Sequence, residues 1–492
     1  MPNVTTIPFQ PPLPQVLPTI EGNVDYRNFR QRLLRIDELL RQSGMEKELI
    51  ETDLQRWQSQ SKYVSPAAQR TRQLHSQRAL RCNIARTLLG EDYRGLAVRL
   101  ADSPVLQHFC LLSELAVQVP SKSTLQRYDQ WWEENQVRAV MEKVLCLGAD
   151  APAQLGLAQP LDLETCFLDT TCLEAHIHYP VDWVLLRDAT RTLMKAVRLI
   201  RQQGLKQRME EPESFISRIN KLCIQMTHAW NHVDGQQQRK KTFRQMDRLV
   251  GTVRHHARRY RDMLDAQWPQ TDWTRPQTEQ VLRRMDQVLN QLPQARKQAR
   301  ERILAGRLVA NEEKILSLYE PDARVIVRKK AGAQVEFGNT LLLGENLVGL
   351  ILEWKLFRES APADSKLVPG SVGRMEEAYG PLKAVVGDRG FDSQTNREGL
   401  DEDGIYNAIC PRSPKGLKER AGSWKFKKLQ RRRAQTEGRI AIVKNVFLGG
   451  RMRCRGFAQR KLTLTWTVLT HNLWVLARLP KPEPAAQQRR AA

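Results

Sequence analysis

Three acidic residues stand out by their settings. Asp169 interrupts the apolar run Cys166-Phe-Leu-Asp169-Thr-Thr-Cys-Leu. Asp388 closes the run Leu382-Lys-Ala-Val-Val-Gly-Asp388 and leads into Arg-Gly-Phe-Asp392-Ser. Glu437 sits in a helical stretch with the spacing Arg433-x3-Glu437-x6-Lys444. Carboxylates are hard oxygen donors, suited to Mg²⁺ or Mn²⁺ and not to soft metals. Two such ions about 3.5–4 Å apart can clamp the attacking and leaving oxygens of an in-line phosphoryl displacement. Each feature alone has an ordinary structural reading. An Asp at a strand end caps a turn, glycines flanking it relax the backbone, and Arg, Glu and Lys populate solvated helix faces. Asp392 competes with Asp388 as the second carboxylate; Asp388 is preferred because it directly ends the apolar strand.

The elements around these residues set their order. A strand with a central carboxylate covers 166–178. Strands follow at 324–330, 333–343 and 347–356, with glycines and Asn346 at the turns. A helix is predicted over 362–380, a strand runs into Asp388, and a short strand lies at 405–410. A helix from about 430 to 447 carries Glu437, and an apolar segment, 462–479, forms a final helix. This is the element order of an α/β ribonuclease-H-like fold with a mixed sheet, in which carboxylates from the first strand, the fourth strand and the last helix converge.

On these residues the chain resembles the DDE transposases of bacterial insertion sequences. The likeness rests on Phe167-Leu-Asp169-Thr-Thr with His176-Ile-His-Tyr-Pro-Val-Asp182 after it, on Val385-Val-Gly-Asp388-Arg-Gly-Phe-Asp392-Ser, and on the Arg433, Glu437, Lys444 spacing. The last matches the family's Y-(2)-R-(3)-E-(6)-K signature, with Gln430 where Tyr would stand. The resemblance implies cleavage of transposon ends and strand transfer into target DNA. It implies two Mg²⁺ or Mn²⁺ ions, bridged by Asp169 and completed by Asp388 and Glu437. It implies phosphate contacts from Arg433 and Lys444, double-stranded DNA as partner, and a homodimer or larger assembly. Arg389 beside Asp388, and Lys122 and Arg127 in the N-terminal region, are further candidate DNA contacts. A related nuclease without strand transfer and a non-catalytic, domesticated DNA-binding protein are the alternatives.

The remaining chain reads as helical. Residues 1–22, rich in proline, suggest an extended arm, and 480–492 a disordered tail. Residues 23–150 form an all-α domain preceding the catalytic one. Within it, helices at about 104–116 and 123–146 suggest a loose helix-turn-helix, with Ser123 and Gln126 as a capping box. The catalytic domain is assigned to 160–190 and 315–479, interrupted by a long helical insertion over 191–314. Residues 191–310 hold 25 Lys/Arg against 11 Asp/Glu, a net +14 of the chain's +24. That concentration points to phosphate contacts more than to an ordinary solvated face. Trp230, Trp268 and Trp273 lie in this block, where core packing is preferred over base stacking. Asp182 and Asp188 read as a cap and a helix-surface charge. His176 and His178, two apart on a strand, would share one face.

The 492 residues carry 78 Lys/Arg and 54 Asp/Glu. This excess fits a polyanion partner, with nucleic acid ahead of a membrane surface. Eight cysteines without any C-x-x-C argue against a zinc ribbon and against a disulfide framework. The start lacks a signal-peptide pattern, and no apolar stretch is long enough to span a bilayer. A cytoplasmic, nucleoid-associated protein is expected.

Overall fold

A computed structural model describes residues 22–60, 65–112, 117–229, 234–330 and 333–482. The proposed arm (except residue 22), the end of the tail and Trp230 lie outside them. The chain opens with helices α1 (Val24–Gln42), α2 (Met45–Ser59), α3 (Pro66–Leu89), α4 (Tyr93–Asp102), α5 (Pro104–Phe109), α6 (Lys122–Asp129) and α7 (Glu134–Asp150). Strand β1 (Thr165–Glu174) follows, then helices α8 (Asp182–Gln202), α9 (Pro212–His228), α10 (Gly235–Gln267) and α11 (Arg275–Ile303). Next come strands β2 (Arg324–Lys330), β3 (Ala333–Glu345) and β4 (Ile351–Leu356), helix α12 (Val368–Tyr379) and strand β5 (Ala384–Gly387). The remainder is α13 (Gln394–Glu402), β6 (Tyr406–Ile409), α14 (Pro414–Arg420), α15 (Trp424–Ile442) and α16 (Phe457–Leu476).

The strands form one mixed sheet in the order β2-β3-β1-β5-β6, with β4 also paired to β3. Gly338 of β3 pairs with Glu174 on one side and Arg324 on the other, and Leu341 pairs with both Thr171 and Leu356. So β2 and β4 lie end to end along the outer edge of β3. β1 pairs antiparallel with β3 and parallel with β5, which itself runs parallel to β6. Its side chains alternate between two covered faces. Cys166 and Leu168 join a core shared with Leu342, Val385, α7, α12 and the N-terminal helices. Phe167 joins Val386, Ala408, and Phe426 and Leu429 of α15 on the other face. The edge at β4 is closed by α16. Asn472 accepts from the Ile351 N–H and donates to its carbonyl, both at 2.8 Å. Helix α8 packs with α9–α11 around a separate core that includes Leu186, Ile219, Met246, Tyr260 and Leu292. Trp268 and Trp273 are partly buried against it.

Several local expectations are corrected. The helix expected over 104–116 ends at Phe109, α6 begins at Lys122, and residues 113–116 between them lie outside the described residues. The cap of α6 is Ser121, which accepts from the Thr124 N–H, and not Ser123. Asp129 ends α6, and a new start at Glu134 is fixed by a capping box between Glu133 and Gln136. β1 stops at Glu174, so His176 and His178 lie beyond the strand and not on it. The helix expected from 362 begins at Val368, after a 3₁₀ turn over Asp364–Lys366. Among the described residues no helix is long and apolar enough to cross a membrane.

Candidate active site

Asp169 and Asp388 meet through strand register. β1 and β5 pair in parallel as Thr165 with Ala384, Cys166 with Val385 and Phe167 with Val386. Two further steps bring Asp388, at the end of β5, level with Asp169. Both share the parity of Phe167 and Val386, whose face is covered by α15. The backbone shapes each carboxylate. The Thr170 N–H donates to Asp169 Oδ1 at 2.7 Å. The Gly390 N–H donates to Asp388 Oδ1 at 2.7 Å, capping a 3₁₀ turn.

Helix α15 is locked over this face by two sets of bonds. Glu345, fully buried at the end of β3, accepts from Arg432 Nη1 (2.9 Å), Thr436 Oγ1 (2.7 Å) and Arg439 Nε (3.2 Å). These residues recur at one-turn and two-turn spacing, so they form one stripe. On a neighbouring stripe, Gln430 donates to the carbonyls of Gly387 (3.1 Å) and Ala408 (2.6 Å), at the ends of β5 and β6. Arg433 Nε donates to Gln430 Oε1 at 3.3 Å. Glu437 follows one turn on and is exposed.

Electrostatics tie the cluster together. Burial pushes the Asp169 carboxyl up to about 6. The Thr170 N–H opposes this, the charges of Asp388 and Glu437 add to it, and Arg433 partly offsets it. Asp388, Glu437 and Arg433 are therefore close enough to act on Asp169.

Asp392 occupies a different environment. It is 3% exposed, with Arg397 bonded to both oxygens (2.8 and 2.6 Å) and the Arg412 N–H at 2.8 Å. Arg397 holds its carboxyl below the usual range. Its oxygens are engaged in bracing the loop after β5.

A fourth carboxylate, Asp364, lies beside the pair. Thr170 Oγ1 donates to Asp364 Oδ1 at 3.0 Å. A Cβ on Gly390 would stand 2.8 Å from Asp364 Oδ2 and 2.9 Å from Asp388 Oδ1, so the missing side chain lets both approach. Sequence reading passed over Asp364 because it stood at the presumed start of a helix, where an Asp is an ordinary cap.

The other candidates are more dispersed. Lys444 lies on the five-residue π-helical turn Val443–Phe447 that extends α15. Arg389 is exposed next to Asp388. Lys122 and Arg127 are exposed on α6, and Lys122 lines a cavity of about 700 Å³ with Arg86, Arg453, Glu91 and Asp92 that includes none of Asp169, Asp388 and Glu437. Asp182 is 5% exposed and bonds Gln298 Nε2 at 2.7 Å and Arg302 at 2.9 Å, bracing α8 against α11. Among the described residues no three His, Cys, Asp or Glu side chains converge tightly enough to form a metal site. The donor set still suits a hard divalent cation. It is all oxygen, and burial, with a smaller addition from the charges of Asp388 and Glu437, holds the Asp169 carboxyl up at about 6.

The fold and site define an α/β protein in which an aspartate midway along one strand lies beside an aspartate at the carboxyl end of its parallel neighbour, under a helix that carries a glutamate. Residues 347–473 match the transposase DDE domain family. That segment contains Asp388, Arg433, Glu437 and Lys444, lacks Asp169, and supports a DDE transposase. No curated protein and no solved structure matches the chain.

Proposed function

We propose that this chain is a DNA transposase that cuts transposon ends and joins them to target DNA by in-line phosphoryl transfer on a ribonuclease-H-like domain. The observation that carries the reading is the register that levels Asp169 with Asp388 on the face beneath Glu437. The family match over the segment holding Asp388 and Glu437 supports it.

Asp169, Asp388 and Glu437 would hold two Mg²⁺ or Mn²⁺ ions, which when bound supply Lewis-acid activation of the attacking hydroxyl and of the leaving 3′-oxygen. The protein's own groups do the rest. Asp169 presents its free oxygen while Thr170 N–H holds the other. Asp364 fixes the Thr170 hydroxyl and acts as a positioning residue through it. Gln430 sets the height of α15 over the strand ends, and with it the reach of Glu437. Arg433 faces the cluster and is placed to take a phosphate oxygen of the bound strand. Lys444 and Arg389 would extend that contact along the backbone, Lys122 and Arg127 would touch DNA from the N-terminal helices, and two copies would pair two ends.

A strand-transfer assay with a pre-cut end tests this reading against a plain nuclease. Joining of the 3′-hydroxyl to target DNA in Mg²⁺ is expected. Hydrolysis without joining would leave a nuclease instead.

A further inference from the structure

A cleft of about 500 Å³ opens beyond the carboxyl end of β1, between α8, residues 316–320 and the loop 451–455. Arg187, Arg191 and Lys195 follow at four-residue spacing along one face of α8 and all line it. Arg284, Arg451 and Arg455 complete the set, so six Lys/Arg side chains meet two acidic ones, Asp188 and Glu320.

Both acids are already engaged. Asp188 Oδ1 accepts from Arg187 at 3.0 Å. Glu320 accepts from the Gly456 N–H at 3.1 Å and pairs with Arg460 at 3.3 Å. Arg451 is bonded to Glu174 at 2.8 Å. Among the described residues no carboxylate forms an ion pair with Arg191, Lys195 or Arg284, while the charge of Arg455 acts on Glu320. Such a concentration of positive charge raises the local potential and attracts an anion.

The walls are built. Arg460, 1% exposed, donates to Asn339 Oδ1 at 2.6 Å, fixing the start of α16 to β3. The hydroxyls of Tyr319 and Thr192 lie 2.6 Å apart, tying segment 316–320 to α8.

We propose that this cleft binds the phosphate backbone of duplex DNA at a distance from the cut site; the proposal rests on the transposase reading above. The α8 row from Arg187 to Lys195 is roughly 12 Å long at about 1.5 Å per residue. A single phosphate would not fill it, whereas one DNA strand advances about 3.4 Å per nucleotide and places several charges along it. From Asp169, β1 runs roughly 17 Å, at about 3.3 Å per residue, to its end at Glu174, and the cleft opens just beyond, at His176. For a duplex lying along β1, phosphates in the cleft belong to nucleotides about five or more base pairs from the scissile bond.

The test uses the full chain and a fluorescent duplex of about 30 base pairs, enough to span both regions at about 3.4 Å per pair. Affinity is measured across a salt series for the wild type, Arg191→Ala/Lys195→Ala, Arg455→Ala, and the charge-keeping Arg191→Lys/Lys195→Arg. The paired alanine variant should bind more weakly, with the slope of log K against log salt reduced by about 2, and Arg455→Ala by about 1. The charge-keeping pair should restore the wild-type slope. Unchanged slopes in both alanine variants, with wild-type DNA binding intact, overturn the cleft alone. A wild type with no salt-sensitive DNA binding overturns the transposase reading with it.

Discussion

The side-chain amide of Gln430 donates to the carbonyl oxygen of Gly387 at 3.1 Å, one residue before Asp388. The same amide reaches Ala408 at the end of β6. A glutamine where the family signature carries a tyrosine thus staples the glutamate-bearing helix to the two strand ends that frame the second aspartate.

Gln430→Ala should lower DNA cleavage about 10- to 100-fold, because displacing a catalytic group by about 1 Å costs up to that much. DNA affinity should change little. Single-turnover cleavage beside a binding titration checks this; unaltered cleavage would remove the positioning role.

Asp392→Asn and Asp388→Asn should separate stability from activity. The first weakens the pairing with Arg397 and the Arg412 N–H, costing about 1–3 kcal/mol. The second removes a carboxylate whose neighbours are mostly like-charged, so denaturant unfolding should show little loss while cleavage disappears. A catalytically inert but stable Asp392→Asn protein would reverse the assignment.

Asp364→Asn keeps an acceptor for Thr170 Oγ1 and should retain part of the rate, while Asp364→Ala should lose more. Thr170→Val should resemble Asp364→Ala in kcat and leave KM for DNA near wild type. A fall of DNA affinity alone in these variants would assign Asp364 to binding.

Buried His471 is held neutral, its pKa depressed by burial to about 3, with Arg439 nearby and Asn472 Oδ1 at 3.2 Å from its Nδ1. The unfolded chain binds a proton below about 6.5, so this group costs nothing above that pH and destabilises the fold progressively down to about 3. From pH 6.5 to 5 the loss is about 2 kcal/mol at about 1.36 kcal/mol per unit. His471→Leu should flatten the fall in melting temperature over that range. An equally steep fall in the variant would place the titrating group elsewhere.

Much of the sheet was legible because apolar runs with β-branched residues, broken at glycines and Asn346, have little alternative to strands. The parallel register of β1 and β5 was not written in either segment, yet it is what joins residues 169 and 388. Asp364 stayed hidden because its importance comes from a turn that folds it against Thr170, far away in sequence. Gln430 was visible as a departure from a signature, but its purpose depends on where two carbonyls end. The N-terminal region misled most, since short helices with several serines offer competing caps, and Ser121 wins over Ser123 by bonding the Thr124 N–H.

The central claim is that Asp169, Asp388 and Glu437 act as one site, and nicking of duplex DNA taken from either side of the coding region, where transposon-end inverted repeats are expected, tests it most directly. The wild type should nick at the repeat ends only with Mg²⁺ or Mn²⁺. Asp169→Asn, Asp388→Asn and Glu437→Gln should each lose activity by about 10³-fold or more while binding the duplex normally, since groups acting as a unit fail together. Wild-type nicking by any one of the three would contradict the account.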